Sequence, residues 1–146
     1  MDNISPHRDG WENPSPEEIK DIIENSRTIA VVGLSSKADR ASNRVARYLM
    51  EQGYEIIPVN PREEEIFGLK CYPDLTSIGR SVDIVDIFRK GEDTPPIVRE
   101  AIDIGARHIW LQLGIYSQES YDLARAAGIP IVMNACLLVE HGKLRA

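Results

Sequence analysis

The segment from Arg27 to Leu49 reads RTIAVVGLSSKADRASNRVARYL, and the rest of the chain repeats its strand-then-helix pattern. Residues 28–32 are apolar and rich in β-branched side chains, which is typical of a strand buried on both faces. Gly33 ends this strand, and a helical pattern begins near Ser42. A glycine turn between a strand and a helix N-terminus directs backbone N–H groups and the positive end of the helix dipole toward an anion. The segment therefore predicts a phosphate-binding turn.

Side chains in and after this turn suit a phosphate. Ser35 and Ser36 carry hydroxyl donors, and the guanidinium groups of Arg40 and Arg44 can pair with a diphosphate or a ribose phosphate. The alternative is a tight turn flanked by solvated arginines. The agreement between turn geometry and local positive charge favours the phosphate.

Length and charge limit the possible partners. The 146 residues are enough for one domain, and the formal charge of −6 argues against nucleic acid as a general partner. Four basic residues lie in the turn or in the helix after it: Lys37, Arg40, Arg44 and Arg47. This local positive charge indicates one small anionic ligand.

Cysteine use and hydropathy indicate a compartment. Cys71 and Cys136 match neither a metal-ligand spacing nor a disulfide framework, which favours a reducing environment. No apolar run approaches the roughly 20 residues of a membrane span, and residues 1–14 lack the apolar stretch of a signal peptide. We therefore expect a cytoplasmic protein without a membrane partner.

Strands and helices alternate along the rest of the chain. Further strands are predicted at 55–59, 82–88, 108–111 and 129–133, a short strand-like piece at 67–72, and an apolar tail at 136–139 that packs on the sheet. Helices are predicted to begin at Ser15, with a capping box to Glu18, and at Ser42, Thr94 and Ser117. This alternation predicts an α/β protein with a Rossmann-like, doubly wound, mostly parallel five-stranded sheet in three α/β/α layers.

The domain organisation follows from the same pattern. Residues 1–14 are polar and contain proline, so we expect an N-terminal arm that Trp11 pins to the body. Residues 15–146 are expected to form a single domain.

Ligands of doubly wound sheets bind beyond the carboxyl ends of the strands, where several loops should converge. Phe88 can flank an adenine and Arg89 and Lys90 can meet phosphates, although a core aromatic followed by a basic loop fits equally well. Gln112 offers amide groups and Gly114 permits close backbone approach, or both belong to a plain loop. The loops in question begin at Gly33, Asn60, Phe88 and Gln112, and Asn134 follows the last strand on the same side.

Cofactor and catalytic motifs narrow the function. The turn Gly-Leu-Ser-Ser-Lys-Ala lacks two glycines of the dinucleotide fingerprint, and the second strand ends in Val59-Asn60-Pro61 without an acid. Residues 63–65 are glutamates and are interpreted as a solvated charge run, so NAD is disfavoured. No nucleophile elbow or metal-ligand cluster occurs, and Asp83 and Asp86 are expected on opposite faces of their strand, too far apart to work as a pair. We identify no catalytic residue.

Five segments together carry a resemblance to a known family. They are IAVVGLSS at 29–36, IIPVNP at 56–61, VDIVDIFRK at 82–90, IWLQLGI at 109–115 and MNACLLVEH at 133–141. In these segments the chain resembles the small stand-alone CoA-binding proteins of bacteria and archaea. It is also similar to the CoA-binding domain of the succinyl-CoA synthetase α subunit and of ADP-forming acyl-CoA synthetases.

The resemblance implies coenzyme A bound across the strand ends of a Rossmann-like fold. Carried over to this sequence, it implies phosphate contacts from Gly33, Ser35, Ser36 and Arg40. It places the nucleotide along Val59, Asn60 and Pro61, the adenosine or its phosphates beside Phe88, Arg89 and Lys90, and the pantetheine arm near Gln112 and Gly114.

The resemblance also bounds the activity. Acyl-CoA ligases of this type use a phosphorylated histidine in a further domain and an ATP-grasp subunit, and the sequence ends at Ala146 before such a domain. We therefore expect binding of CoA or acyl-CoA without catalysis. The alternatives are an NAD(P)-linked enzyme, an acyl-CoA ligase subunit completed by a protein partner, and an adaptor that uses only the fold.

Overall fold

Five parallel strands form the central sheet of the computed structural model, which describes residues 10–145. The strands of the protein are β1 Thr28–Val32, β2 Glu55–Val59, β3 Glu65–Ile66, β4 Leu69–Lys70, β5 Ile84–Ile87, β6 His108–Leu111 and β7 Ile131–Val132. Their order in the central sheet is β2-β1-β5-β6-β7, while β3 and β4 form a separate antiparallel hairpin. The chain therefore leaves β1 toward β2 and later returns to the other side of β1, which creates a topological switch point between β1 and β5.

Helices cover both faces of the sheet. They are α1 Pro16–Glu24, α2 Ala41–Glu51, α3 Thr94–Asp103, α4 Gln118–Ala126 and α5 Leu137–Leu144. One apolar cluster joins a sheet face to α1, α2 and α5, and a second joins the opposite face to α3 and α4. The predicted three-layer, doubly wound α/β fold is thus confirmed.

Side-chain alternation explains why β1 is apolar on both of its faces. Ile29 and Val31 pack in the cluster with α2, whereas Ala30 and Val32 pack in the cluster with α3. A strand covered on both faces has no solvent side for polar residues. The prediction of β1 at residues 28–32 is confirmed to the residue.

Helix starts are confirmed at two positions and wrong at two. Ser15 and Ser117 cap their helices, and Ser15 forms the predicted capping box with Glu18. The α2 helix instead begins at residue 41, because the hydroxyl of Ser42 accepts the backbone N–H of Ser35 at 3.0 Å rather than capping. Thr94 lies inside α3, where its hydroxyl donates to the carbonyl of residue 91 at 2.7 Å.

The predicted apolar tail is a helix. Residues 137–144 form α5, in which Leu137 and His141 are buried, and the ring of His141 bonds to the hydroxyl of Tyr48 on α2 at 2.8 Å. A four-residue apolar run was too short to show helical periodicity. The predicted piece at 67–72 instead contributes Leu69–Lys70 to a hairpin with Glu65–Ile66. The predicted strands at 82–88 and 129–133 are shorter than expected, at Ile84–Ile87 and Ile131–Val132.

The segment before α1 is tied to the body. Trp11 is buried and its ring stacks on that of Tyr116, with 6.1 Å between centroids. The amide of Asn13 donates to the carbonyl of Met133 at 2.8 Å and accepts its N–H at 2.7 Å, as a neighbouring strand would. Residues 1–9 of the predicted arm lie outside the described residues, so the division at residue 14 stays a prediction.

Across residues 10–145, every helix is too short or too polar to cross a bilayer.

Candidate functional site

The ends of the five parallel strands meet on one side of the sheet, which we call the carboxyl edge. It comprises residues 33–40, 60–64, 88–91, 112–116 and 134–136, the loops after β1, β2, β5, β6 and β7. The parallel sheet therefore brings these loops to one edge, as predicted.

The turn after β1 packs directly on the loop after β5. Gly33 has a φ of +86°, and a Cβ at this position would lie 2.5 Å from the carbonyl oxygen of Phe88 and 3.3 Å from Cδ of Arg89. Its N–H donates to the carbonyl of Val59 at 2.8 Å, which ties the turn to β2 as well. Glycine is required here both for the left-handed backbone and for the close approach.

The turn is then fastened to the first residues of α2. Besides the bond from Ser35 N–H to Ser42, the amide of Asn43 donates to the carbonyl of Ser35 at 2.9 Å. Arg40 occupies the N-cap position of α2 and makes no capping bond. The first backbone N–H groups of a helix have no intrahelical partner, so this start of α2 presents donors beside the turn.

A carboxylate also reaches this turn, which the sequence did not predict. The hydroxyl of Ser36 donates to Oε2 of Glu63 at 2.9 Å. The interpretation of residues 63–65 as a purely solvated charge run is therefore wrong for Glu63. Its position depends on Asn60, whose side chain donates to the carbonyl of Leu34 at 2.9 Å and accepts the N–H of Arg62 at 2.8 Å. Asn60 thus holds the β1 and β2 loops together.

The predicted cations differ in their present contacts. Arg40 and Lys90 are exposed. Arg44 donates to the carbonyl of residue 39 at 2.7 Å, and Arg89 lies 3.6 Å from the carboxylate of Asp93 in an exposed ion pair. Exposed pairs of this kind are weak and exchange readily for a stronger anion.

A groove of about 590 Å³ opens between the β5 and β6 loops. Half-buried Phe88 and Ile115 give it an apolar wall, and Arg89 and Lys90 line it with positive charge. Phe88 packs against the core, as one alternative predicted, and it also borders the groove; its contact with an adenine stays a prediction. Sequence reasoning missed Gly91, where a Cβ would lie 2.3 Å from the carbonyl oxygen of Tyr116.

Asn134 contacts Gly114, which is one of the residues that line this groove. The side-chain oxygen of Asn134 accepts the N–H of Gly114 at 2.7 Å. Asn134 has a φ of +58°, a left-handed conformation that asparagine tolerates better than most residues. In this structure the two residues brace the β6 loop against the end of β7.

The residues on either side of Asn60 in the β2 loop differ in exposure. Pro61 is exposed and Val59 is buried.

Gln112 is buried rather than open to the groove. It is 4% exposed, and its amide donates to Oδ1 of Asp86 on β5 at 2.8 Å. Burial raises the pKa of Asp86 to about 7, although the bond from Gln112 acts in the opposite direction. Sequence reasoning missed the contact between Gln112 and Asp86, although a single acid within the otherwise apolar run 84–87 is a signal that could have drawn attention to Asp86.

Asp83 and Asp86 have separate roles, in line with their predicted placement on opposite faces. Asp83 accepts the backbone N–H groups of Arg27 and Thr28 at 2.7 and 3.1 Å, at the amino end of β1. Burial acts to raise its pKa, but these backbone bonds outweigh it and hold the pKa below its ordinary value. In the part of the chain that the structure describes, His, Cys, Asp and Glu side chains form no group of three that could hold a metal ion.

The sheet order and the switch point place the chain in the class of Rossmann-like, doubly wound α/β proteins. Within that class, the chain belongs to the family described as the CoA binding domain, whose model matches residues 27–142. The match spans every strand and loop of the carboxyl edge. The resemblance inferred from the five sequence segments is thus confirmed.

Two relatives are similar over nearly the whole chain. The uncharacterized protein YneT of Bacillus subtilis is 40% identical over 130 residues, which cover 89% of this chain and 96% of YneT. A solved structure titled as a hypothetical protein from Pyrococcus horikoshii OT3 has a TM-score of 0.89 and 39% identity, covering 100% of both chains.

A third relative is much longer. The ADP-forming acetate–CoA ligase I of Archaeoglobus fulgidus is 25% identical over 121 residues, which cover 76% of this chain but 18% of the ligase. The chain is therefore similar to one part of that enzyme.

Proposed function

We propose that this protein binds coenzyme A or an acyl-CoA at its carboxyl edge, and that it does so without catalysis of its own. The observation that carries this proposal is the contact between Gly33 and the Phe88 carbonyl, which joins the turn before α2 to the basic loop after β5. One continuous surface thus presents hydroxyl groups, helix N–H groups and arginines. Membership of the CoA binding domain family supports the choice of ligand.

The residues present fit the chemistry of CoA. Its phosphates require several positive or N–H donors, which Ser35, Arg40, Arg89 and the start of α2 can supply. Its adenine and pantetheine arm require apolar contact, which Phe88 and Ile115 offer in the groove. When bound, CoA would bring a thiol or thioester to this edge, and the chain's own groups would position it.

The histidines support a binding role rather than a catalytic one. His108 lies at the amino end of β6, where its ring bonds to the carbonyl of Asp83 at 3.1 Å. His141 is buried against Tyr48 on the outer helices. Both lie away from the carboxyl edge, and His7 lies outside the described residues.

Two measurements test the proposal. The first is mass spectrometry of small molecules released when freshly purified protein is denatured, which should detect CoA or an acyl-CoA. The second is calorimetry with CoA, 3′-dephospho-CoA and NAD, in which CoA should bind in the micromolar range or tighter. Tight binding of NAD without any response to CoA would overturn the proposal.

Replacing Arg40 or Arg89 with alanine should weaken CoA binding more than binding of 3′-dephospho-CoA. A charged hydrogen bond to phosphate contributes roughly 1.5–3 kcal/mol, so the loss for CoA should be about tenfold or more. Arg99→Ala is the matched control, because Arg99 also forms an exposed ion pair, with Glu119 at 3.1 Å, between α3 and α4. Equal losses for both ligands would show that neither arginine contacts the 3′-phosphate.

Glu63 favours a second candidate function, the binding of a dinucleotide such as NAD. An acid after the second strand of a doubly wound sheet is suited to accept ribose hydroxyls. The carboxylate of Glu63 reaches the β1 turn in the required region, although it follows β2 by four residues rather than standing at its end.

Glu63→Gln separates the two candidates. Removing a negative charge beside the phosphate turn should strengthen CoA binding about two- to fivefold, because the amide still accepts from Ser36 but no longer repels phosphate. If Glu63 held ribose hydroxyls of NAD, the same change would weaken NAD binding. Calorimetry of the variant with both ligands distinguishes these results, and Glu64→Gln is the control because residue 64 is exposed.

Similarity to the acetate–CoA ligase supports a third possibility, a ligase subunit completed by a protein partner. Co-purification of the chain with an ATP-grasp protein, together with thioester formation by the complex, would support it. Absence of such a partner from affinity-purified material would leave the binding role.

A further inference from the structure

Asp86 is a buried acid with incomplete hydrogen bonding. It has no exposed surface, its Oδ1 accepts from Gln112, and its Oδ2 has no partner among the described residues. A buried ionised carboxylate is costly without full compensation. Asp86 lies two residues before Phe88, which places it about 7 Å along the strand from the groove.

Within residues 10–145, no positively charged side chain is buried beside Asp86. Its register partners are Val31 on β1 and Trp110 on β6. It shares a face with Ile84, toward the layer of α1, α2 and α5. The ionisable side chains buried on that face, among the described residues, are His141, which pairs with Tyr48, and the thiol of Cys71. The remaining charged groups of these helices are exposed or half-buried on their outer surfaces: Glu17, Glu18, Lys20, Asp21 and Glu24 on α1, Arg44, Arg47 and Glu51 on α2, and Glu140 and Lys143 on α5, with Arg40 and Cys136 at the helix starts.

We propose that Asp86 is a positioning residue for the ligand of the carboxyl edge, acting through Gln112, and that binding of an anionic ligand there is coupled to proton uptake by Asp86. This inference rests on the proposed CoA-binding function. Gln112 links the two sites, because its side chain bonds to Asp86 while its backbone carbonyl accepts the N–H of Ile115 in the wall of the groove.

The direction of the coupling follows from charge. Phosphates brought near the carboxyl edge repel an ionised Asp86, so the bound state favours its neutral form. In the free protein, burial raises the pKa of Asp86 to about 7, so Asp86 is partly protonated at neutral pH. Binding raises that pKa further, and affinity therefore falls as pH rises above 7.

The size of the effect is measurable. At a separation of about 10 Å and an effective dielectric constant of about 20, one phosphate charge shifts the pKa by roughly one unit. The wild-type protein should then take up about half a proton per CoA bound at about pH 7.5, and Asp86 should weaken affinity about fivefold between about pH 6 and 8.

Calorimetry of CoA binding in HEPES and in Tris gives the number of protons taken up per CoA bound, because the two buffers differ in ionisation enthalpy. The chain is compared with Asp86→Asn, in which the amide oxygen still accepts from Gln112 but nothing titrates. Subtracting the two removes proton exchange by CoA itself and by other residues. Asp83→Asn is the matched control, because Asp83 directly precedes β5 at its amino end, where it accepts the backbone N–H of Arg27. This variant should take up as many protons as the wild type. Titration with 3′-dephospho-CoA, which lacks the phosphate monoester, should preserve the difference.

A second measurement needs no variant. Carbon-13 NMR of the wild-type aspartate carboxyl groups, with and without CoA, should show the pKa of Asp86 rising on binding. Equal proton uptake by wild type and Asp86→Asn, or an unchanged Asp86 titration in the complex, would overturn the coupling while CoA binding itself stood. Absence of CoA binding to the wild type at every pH would instead overturn the proposed function, and the coupling with it.

Discussion

Replacing Gly33 with alanine should abolish measurable CoA binding and lower the free energy of unfolding by about 2–4 kcal/mol. The new Cβ would lie 2.5 Å from the carbonyl oxygen of Phe88, so either the β1 turn or the end of β5 must move. A backbone atom at a strand end cannot yield as a flexible side chain does. The φ of +86° adds the cost of a left-handed alanine.

Gly79→Ala separates strain from collision. Gly79 also has a positive φ, of +76°, but a Cβ there meets nothing within 4 Å. It should lose about 1–2 kcal/mol from the backbone alone and keep full CoA affinity. Urea denaturation gives the two stabilities, and calorimetry at a temperature where both variants are folded gives the affinities. Equal stability and equal affinity of the two variants would contradict the importance of the Gly33–Phe88 contact.

The stability of Asp86→Asn relative to the wild type should increase as pH rises. The folded-state pKa of about 7 lies above the value of about 3.9 expected in the unfolded chain. Between these values the folded state binds the proton more tightly, so wild-type stability falls as pH increases through this window. The variant does not titrate, and its advantage over wild type should grow by about 2–3 kcal/mol from about pH 5 to pH 8.

Urea denaturation of both proteins across this range measures the difference. Asp83→Asn should show the opposite sign, because hydrogen bonds from backbone N–H groups hold the pKa of Asp83 below its ordinary value despite burial. Ionised Asp83 therefore stabilises the fold above the unfolded pKa, and its replacement should cost stability at pH 8. Parallel pH profiles for wild type and Asp86→Asn would show that Asp86 does not titrate in this range.

Local patterns were sufficient to predict most of the architecture. The β-branched apolar run at 28–32 favoured a strand covered on both faces, and Ser15 with Glu18 satisfied each other's backbone groups within one helical turn. Alternation of strands with helices favoured a parallel sheet, because a helix between two strands returns the chain to the end of the sheet where the first strand began. The loops at the carboxyl edge followed from that topology.

Contacts between loops distant in sequence were beyond such patterns. The approach of Glu63 to Ser36 spans 27 residues, and the bond between Gln112 and Asp86 spans 26. Ser42 and Thr94 look like helix caps in sequence, yet the hydroxyl of Ser42 accepts from Ser35, and that of Thr94 also bonds to Ser120, which is 26 residues away. A hydrogen-bonding group takes the partner that folding brings within reach, and that partner need not be near it in sequence.

The amino-acid sequence by itself determined that this chain forms a doubly wound sheet with a polar, basic set of loops at its carboxyl edge, because side-chain periodicity and turn residues act over a few positions. Only the tertiary structure decided that Asp86 is sealed beneath those loops and that Gly33 and Gly91 must remain without side chains. Burial and close packing depend on all the layers at once. No short segment encodes the neighbours that the folded chain brings to it.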